Sequence, residues 1–175
     1  MKLKVIQKQK NSDMCVVCGL KNGFSLRTMF YAVEGGLMVG LVTGRDEHQS
    51  YPNRMHGGMI SALLDEVIGR AINTVEPEAF GVTSELKVKF KKPVPLNEEI
   101  RVVGKLTRNT RLVFTAEGFI EDQKGTILAT ASATYVKMNV EQIAGKPLTE
   151  EEYGLYPDDV TEVEVVNVDF FNKEG

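Results

Sequence analysis

Apolar residues recur at helical spacing along one segment of the chain, from His56 to Thr74. They cover more than half of the circumference of a helix and comprise Ile60, Leu63, Leu64, Val67, Ile68, Ala71 and Ile72. A helix with so wide an apolar surface must be buried on most sides. The pattern therefore predicts one long buried helix over residues 56–74.

Outside this segment the period of the pattern is two, which is typical of β-strands. Two short runs at Leu26–Val33 and Leu37–Thr43 flank two glycines and predict a hairpin, because glycine freely adopts the positive φ angles of a tight turn. A polar loop over residues 44–55 then leads to the helix. After the helix, strand-like runs occupy Glu85–Phe90, Glu99–Thr107, Leu112–Glu121 and Thr126–Met138.

The order of these elements indicates the fold class. One helix lies between a hairpin and an antiparallel meander, and no βαβ alternation is repeated. This order predicts an α+β domain in which an antiparallel sheet wraps the single helix.

Composition changes along the chain divide it into three segments. They are an N-terminal segment with a CxxC loop, a central domain with the predicted sheet and helix, and an acidic extension, at residues 1–24, 25–138 and 139–175. The extension is expected to open with a short helix capped by Thr149. A further strand between Val163 and Phe170 is possible on composition, although the alternation slips at Val165-Val166.

Length and charge exclude several classes of function. At 175 residues and 42% hydrophobic content, the chain is long enough for one domain with a sizeable core. Its formal charge of -3 and pI near 5.5 give no overall attraction to nucleic acid or to an anionic membrane. No apolar run approaches membrane-spanning length or resembles a signal-peptide core. We therefore expect a cytoplasmic protein with neither nucleic acid nor membrane as a partner.

The only cysteines, Cys15 and Cys18, form one CxxC motif. In a reducing compartment such a pair is compatible with half of a metal site, a redox pair or two small buried hydrophobic residues. A structural zinc ion needs four ligands and one chain supplies two thiolates, so we expect no bound metal. The sequence indicates no cofactor.

Two carboxylates, Asp65 and Glu66, stand in the middle of the apolar helix, where a buried charge is costly unless it is paired or used. Glu66 has Arg70 four residues later, which is the favourable order for an ion pair on one helix face. The helical neighbours of Asp65 offer no cation, and aspartate is a poor residue for a helix interior. Asp65 is either a buried aspartate hydrogen-bonded to a strand or, as we favour, a catalytic carboxylate.

The predicted helix begins at His56-Gly57-Gly58, and the glycines have two explanations. They can serve a tight turn with close packing. Alternatively, the backbone N–H groups of the first helical turn can point at an electron-rich atom such as a carbonyl oxygen, reinforced by the helix dipole. The residue types alone leave both explanations open.

The stretch Asp46–Glu66 contains this HGG and places Asp65 in the following helix. It resembles the signature of the hotdog-fold thioesterases related to the phenylacetate-pathway thioesterase (PaaI-like), in which HGG precedes a helix that carries a catalytic aspartate. The CxxC loop and the strand that begins at Val82 also resemble this family. The resemblance covers residues 14–138, and the acidic extension lies outside it.

The resemblance implies a hotdog fold and the hydrolysis of acyl-CoA thioesters to free acid and coenzyme A. Asp65 would supply the catalytic carboxylate, and the N–H groups of Gly57 and Gly58 would bind the thioester oxygen. Such relatives assemble as dimers or tetramers with active sites between subunits, so a homodimer or homotetramer is expected. In that assembly, Asp65 of one chain would face the hydroxyl group of Thr83 on its neighbour.

The family pattern also implies further site residues. Gln49 occupies the loop before HGG, where many relatives carry a catalytic Asn or Gln, although its spacing differs from the common one. Asn53 stands where relatives with a YPG loop carry glycine. Together with His56 and Ser84, Asn53 is expected to contact the substrate.

Two other functions are compatible with the sequence. A hotdog module that binds acyl-CoA without hydrolysing it would keep the same fold. A hydratase or dehydratase of this fold would need a histidine base paired with a carboxylate, and in the hydratases an aspartate stands five residues before the histidine. Asp46 and His48 are two residues apart, so His48 is expected to be an ordinary solvated loop residue.

Overall fold

The buried helix predicted from the apolar spacing is present in the computed structural model, which describes residues 1–172. Helix α1 runs from Gly57 to Gly69 and continues as a 3₁₀ turn over Arg70–Thr74. Within residues 1–172, no helix is long and apolar enough to cross a membrane. The end of the predicted acidic extension, residues 173–175, lies outside the described residues.

The strands that surround α1 are, in chain order, β1 (Lys2–Lys8), β2 (Asn11–Ser12), β3 (Met29–Val33), β4 (Leu37–Thr43), β5 (Gly81–Phe90), β6 (Glu99–Asn109), β7 (Val113–Glu121), β8 (Ile127–Lys137), β9 (Tyr153–Gly154) and β10 (Glu162–Glu164). Eight of them form one antiparallel sheet in the order β10-β1-β3-β4-β6-β7-β8-β5, while β2 and β9 form a separate ribbon. The sheet wraps α1, which is the predicted α+β hotdog arrangement.

The predicted hairpin and meander are both confirmed. Gly35 and Gly36 make the β3–β4 turn with φ angles of 81° and 70°, and β6, β7 and β8 pair in sequence order. Strand β5 does not pair with β6, its neighbour along the chain. It pairs with β8 instead and so becomes an edge of the sheet.

Close contact between α1 and the sheet depends on two glycines in neighbouring strands. A Cβ atom on Gly104 of β6 would lie 3.0 Å from the Cα atom of Ile68 on α1. A Cβ atom on Gly118 of β7 would lie 2.5 Å from Cγ2 of Ile68 and 2.3 Å from the carbonyl oxygen of Val103. The helix can therefore approach the middle of the sheet only because both positions lack a side chain.

The acidic extension and the N-terminal segment both add a strand to the sheet, and the strand in the N-terminal segment was not indicated by the sequence patterns. Strand β1 pairs with β3 on one side and with β10 on the other. On the outer face, Phe119 of β7 packs against Phe170 and Phe171, with ring centroids 4.7 Å and 5.6 Å apart. The extension therefore covers apolar sheet surface.

The strand expected between Val163 and Phe170 is only partly present. Pairing with β1 ends with β10, and a 3₁₀ turn occupies Val168–Asn172. The alternation of apolar and polar residues is interrupted at Val165-Val166, and the structure differs at the same place. There the backbone N–H of Val166 donates to the carboxylate of Glu121 at 2.8 Å and not to a neighbouring strand. Glu121 is fully buried, and this bond turns the chain away from the sheet edge.

The expected helix capped by Thr149 is wrong. Helix α2 lies earlier, at Val140–Ala144, and is capped by the side chain of Asn139. At Thr149 the chain makes a turn, in which the hydroxyl oxygen accepts a hydrogen bond from the N–H of Glu152 at 3.2 Å. Gly154 follows too soon after Thr149 for a stable helix to form between them.

The close approach at Gly118 predicts a large effect of a single methyl group. We expect Gly118→Ala to destabilise the fold by about 1–3 kcal/mol or more, because neither a backbone carbonyl nor a packed isoleucine can move away easily. Gly23→Ala is the matched control, since a Cβ atom there has nothing within 4 Å. Urea unfolding of both variants measures the difference, and equal midpoints would contradict the packing described.

Candidate active site

Asp65 is held by two hydroxyl groups from the sheet. The hydroxyl of Thr83 on β5 donates to the carboxylate and lies 2.9 Å from Oδ1 and 3.1 Å from Oδ2. The hydroxyl of Tyr135 on β8 lies 3.1 Å from Oδ1 and 2.9 Å from the backbone carbonyl oxygen of Asp65. The carboxylate is hydrogen-bonded to two strands, as a structural aspartate would be. It also borders a cavity, as a catalytic carboxylate would.

The contact between Asp65 and Thr83 lies within one chain. This differs from the expectation that Asp65 would face Thr83 of a neighbouring chain. A register shift in the β5–β8 pairing falls between Thr83 and Glu85, and such an irregularity re-aims side chains. The hydroxyl group of Ser84, within the shift, donates to the carbonyl of Thr134 at 3.1 Å. Ser84 does not line the cavity at Asp65.

The environment of Asp65 changes its acidity. Burial raises the pKa of the Asp65 carboxyl group above its usual value, and the adjacent charge of Glu66 raises it further. Hydrogen bonds from Thr83 and Tyr135 act in the opposite direction but do not cancel the effect of burial. Asp65 is thus a desolvated carboxylate that is more basic than an ordinary aspartate.

A cavity of about 370 Å³ opens beside Asp65. The central domain contributes residues that include Gly69, Phe80 and Tyr135 to its lining. Residues 140–153, which we call the C-terminal arm, also line it, and their apolar contributors are Val140, Ile143, Ala144, Leu148 and Tyr153. The volume and the apolar lining suit a small organic group.

The start of α1 offers backbone donors to a ligand. His56 caps the helix, and its Nδ1 accepts the N–H of Gly58 at 2.9 Å. The expectation that Gly58 would bind a thioester oxygen is therefore not met, because its N–H is occupied by the cap. Within residues 1–172, the N–H of Gly57 has no hydrogen-bond acceptor. Of the two glycines, Gly57 can donate to a ligand.

A second cavity, of about 540 Å³, surrounds this end of the helix. Gly57 lines it together with Phe90 of β5, and its rim carries the cations of Arg54, Lys91 and Lys92. Such a rim favours an anionic ligand over a cationic or neutral one. The two ends of α1 therefore open into two different cavities.

The two loop residues predicted for the site lie near the helix start. Gln49 pairs with Met55 in a β-bridge, and its exposed side chain does not line the Asp65 cavity. Asn53 adopts a left-handed backbone conformation with φ of 61°. That conformation favours glycine, which explains why relatives carry glycine at this position. Its exposed side chain lies outside both cavities.

Comparison with known proteins shows which family the chain resembles. The sequence profile described as "Thioesterase superfamily" matches residues 53–129. The mouse protein "Acyl-coenzyme A thioesterase THEM4" is 29% identical over 122 residues, which are 69% of this chain and 50% of the mouse protein. The chain thus spans about half the length of that relative.

Solved structures agree with the sequence comparison. Protein RHA08564, a thioesterase superfamily protein, matches with a TM-score of 0.63 and 29% identity over 70% of this chain and 60% of its own. The chain is therefore similar to thioesterase superfamily proteins in both sequence and fold. The E. coli PaaI protein from the phenylacetic acid degradation operon shares the fold, with a TM-score of 0.59 and 16% identity over 65% of this chain and 81% of its own.

The similarity to thioesterase superfamily proteins is consistent with the state of His48. The expectation that His48 is solvated is wrong, because this histidine is buried. Its Nδ1 accepts the N–H of Arg45 at 2.9 Å, and its Nε2 lies 2.9 Å from the carbonyl oxygen of Phe24. With both ring nitrogens engaged, His48 is not available as the base of a hydratase.

Two parts of the site were missed by the sequence reasoning. Tyr135 follows Asp65 by 70 residues, and the alternation in its strand gives no signal that it reaches the helix. The C-terminal arm lies outside the matched superfamily segment. The ion pair between Glu66 and Arg70, which is a local feature, was predicted and is confirmed at 2.8 Å.

The raised pKa of Asp65 predicts how its replacement alters stability. Since the folded-state pKa lies above the unfolded value, the folded chain binds this proton more tightly, and the ionised form is penalised as pH rises through the folded pKa. We therefore expect Asp65→Asn to raise the melting temperature at neutral pH, with the gain shrinking as pH falls. The exposed Asp159→Asn is the control, and a lower melting temperature for Asp65→Asn at neutral pH would contradict the burial described.

Proposed function

We propose that this protein hydrolyses acyl-CoA thioesters to the free acid and coenzyme A. The single observation that carries the proposal is the desolvated carboxylate of Asp65, held by two hydroxyl groups at the mouth of an apolar cavity. The match to the thioesterase superfamily profile and the name of the mouse relative support the same activity. No cofactor or metal is needed for this reaction.

The position of the oxyanion donor requires a second copy of the chain. Gly57 and Asp65 stand eight residues apart on α1, which corresponds to about 12 Å along the helix axis. A thioester carbonyl group is far too small to contact both groups of one chain. We infer that the catalytic site combines Asp65 of one protomer with Gly57 of its partner.

The edge strand β5 supports a specific form of this dimer. Near its start, Thr83 contacts Asp65, and at its end Phe90 lies beside Gly57, 3.6 Å from the position of a Cβ atom there. Pairing β5 antiparallel with its copy around a two-fold axis places the start of one strand beside the end of the other. Each Asp65 then lies near the partner's helix start, and the open sheet edge is covered.

The chemistry of the combined site follows from its two parts. The ionised carboxylate of Asp65 attacks the carbonyl carbon itself or takes a proton from the water that attacks it. The N–H of Gly57 donates to the oxygen on which negative charge develops. The carbon–sulfur bond then breaks, and the coenzyme A thiolate leaves and takes up a proton. If Asp65 is the nucleophile, water next hydrolyses the mixed anhydride on Asp65, which releases the free acid and restores the carboxylate. A thiolate is a good leaving group, so a Ser-His-Asp arrangement is not required.

The two cavities assign the two ends of the substrate. The phosphate groups of coenzyme A are anionic and match the rim formed by Arg54, Lys91 and Lys92 near Gly57. The acyl group enters the cavity beside Asp65, between Phe80 and the C-terminal arm. The apolar lining of that cavity favours apolar acyl groups.

The proposed role of Asp65 predicts the behaviour of Asp65→Asn. We expect kcat to fall by about 100-fold or more, because amide replacement removes the base or nucleophile. In the parent protein, the acid limb of the pH–rate profile should lie above the pKa of an ordinary aspartate, since burial raises that of Asp65. Release of free thiol from a panel of acyl-CoAs measures the kcat of the variant and, at a series of pH values, the pH–rate profile of the parent protein.

The neighbouring carboxylate provides the control for this experiment. Glu66→Gln should change turnover by only a few-fold, since Glu66 pairs with Arg70 and its loss affects stability more than chemistry. Melting curves of both variants separate the two effects. An inactive but folded Glu66→Gln beside a fully active Asp65→Asn would refute the proposed assignment.

A further inference from the structure

The CxxC motif lies in a loop whose shape is tightly fixed. Between β2 and β3, the side-chain amide of Asn11 donates to the carbonyl oxygens of Cys18 at 2.8 Å and Thr28 at 2.9 Å. The N–H of Gly19 donates to the carbonyl oxygen of Cys15 at 2.8 Å. A Cβ atom on Gly19 would lie 2.4 Å from that oxygen. The loop therefore holds the two cysteines in one arrangement.

The two sulfur atoms differ in their access to small molecules. Cys15 is partly exposed and lines the cavity beside Asp65, whereas Cys18 is completely buried. Their sulfur atoms lie within 4.8 Å of each other. A reagent that enters the cavity can reach the first thiol but not the second.

Polar groups around the two sulfur atoms favour one thiolate. The N–H of Val17 donates to Sγ of Cys15 at 3.3 Å and favours its thiolate. Nη2 of Arg70, 3.7 Å from Sγ of Cys18, acts in the opposite direction but is outweighed by the burial of Cys18. The hydrogen bond from Cys18 lowers the pKa of Cys15 to about 7, while the same bond and burial raise the pKa of Cys18. The accessible sulfur is thus the nucleophile, and the buried thiol keeps its proton.

A metal ion fits the same group of residues poorly. Glu66 also lies within 4.8 Å of both sulfur atoms, which would give three donor atoms. Arg70, however, donates to Oε1 of Glu66 at 2.8 Å and stands beside Cys18. A fixed guanidinium cation in contact with two of the three donors repels a second cation.

We propose that Cys15 and Cys18 form a redox-active dithiol that a hydroperoxide oxidises to an intramolecular disulfide. The Cys15 thiolate attacks the peroxide, the O–O bond breaks, and Cys15 becomes a sulfenic acid while hydroxide or alkoxide leaves. The Cys18 thiol then attacks the Cys15 sulfur, the S–S bond forms, and water leaves with the Cys18 proton. The two thiols supply the two electrons that reduce the peroxide.

The proposal does not depend on thioester hydrolysis and is tested without it. The full chain is treated with hydrogen peroxide, and free thiols and intact mass are then measured. We expect both thiols to disappear, the mass to fall by two hydrogen atoms, and a reductant to restore both values. Peptide mapping of the parent protein should identify the Cys15–Cys18 bond directly.

Single-cysteine variants separate the roles of the two thiols. Cys18→Ser should stop at a sulfenic acid on Cys15 that dimedone traps, because the second thiol is missing. Cys15→Ser should react at least about tenfold more slowly, since Cys18 is buried. Melting curves check that both variants fold. If one of them does not fold, the disulfide map of the parent protein still tests the proposal.

Three results would overturn the proposal. One is that both thiols of the parent protein persist in excess peroxide. Another is that Cys18 in folded Cys15→Ser reacts as fast as Cys15 in Cys18→Ser. The third is stoichiometric zinc in the purified protein that is lost with Cys18→Ser, because the pair would then be a metal site.

Discussion

Gly57 and Asp65 are eight positions apart on α1, and at about 1.5 Å per residue the two groups lie about 12 Å apart along the helix axis. The helix is rigid because the sheet packs around it, with Gly104 and Gly118 allowing direct backbone contact. Neither group can move toward the other. The helix that supplies both groups therefore keeps them apart, and a catalytic site that uses both must draw them from two protomers.

The edge strand β5 connects this constraint to the rest of the fold. Because it pairs with β8 and not with β6, it leaves one edge open along its whole length. Thr83 at one end supports the carboxylate, and Phe90 at the other borders the helix start. The acidic extension contributes separately, since its arm lines the Asp65 cavity and Phe170 and Phe171 pack on the outer face of the sheet.

Local features were predictable from the sequence, and contacts between distant segments were not. The helix, the hairpin and the ion pair of Glu66 with Arg70 depend on residues a few positions apart, so periodicity and spacing revealed them. Tyr135, β1 and the C-terminal arm reach the site or the sheet through long-range contacts. The partner of Thr83 could not be deduced either, because a sequence does not indicate which copy of a chain supplies a contact.

Hybrid dimers test the combined site most directly. Gly57→Pro removes the N–H and adds a ring whose Cβ position is in ordinary contact distance of Phe90, at 3.6 Å. The extended His56 before it, with ψ of 139°, accommodates proline at the first helical position. Differently tagged Asp65→Asn and Gly57→Pro chains, each inactive alone, should form hybrids with about half the parent turnover, because one of two symmetric sites keeps both groups. Hybrids of Asp65→Asn with Thr83→Val should recover far less, since both lesions affect the same half of the site. No recovery with Gly57→Pro, or equal recovery in both hybrids, would contradict a site shared between protomers.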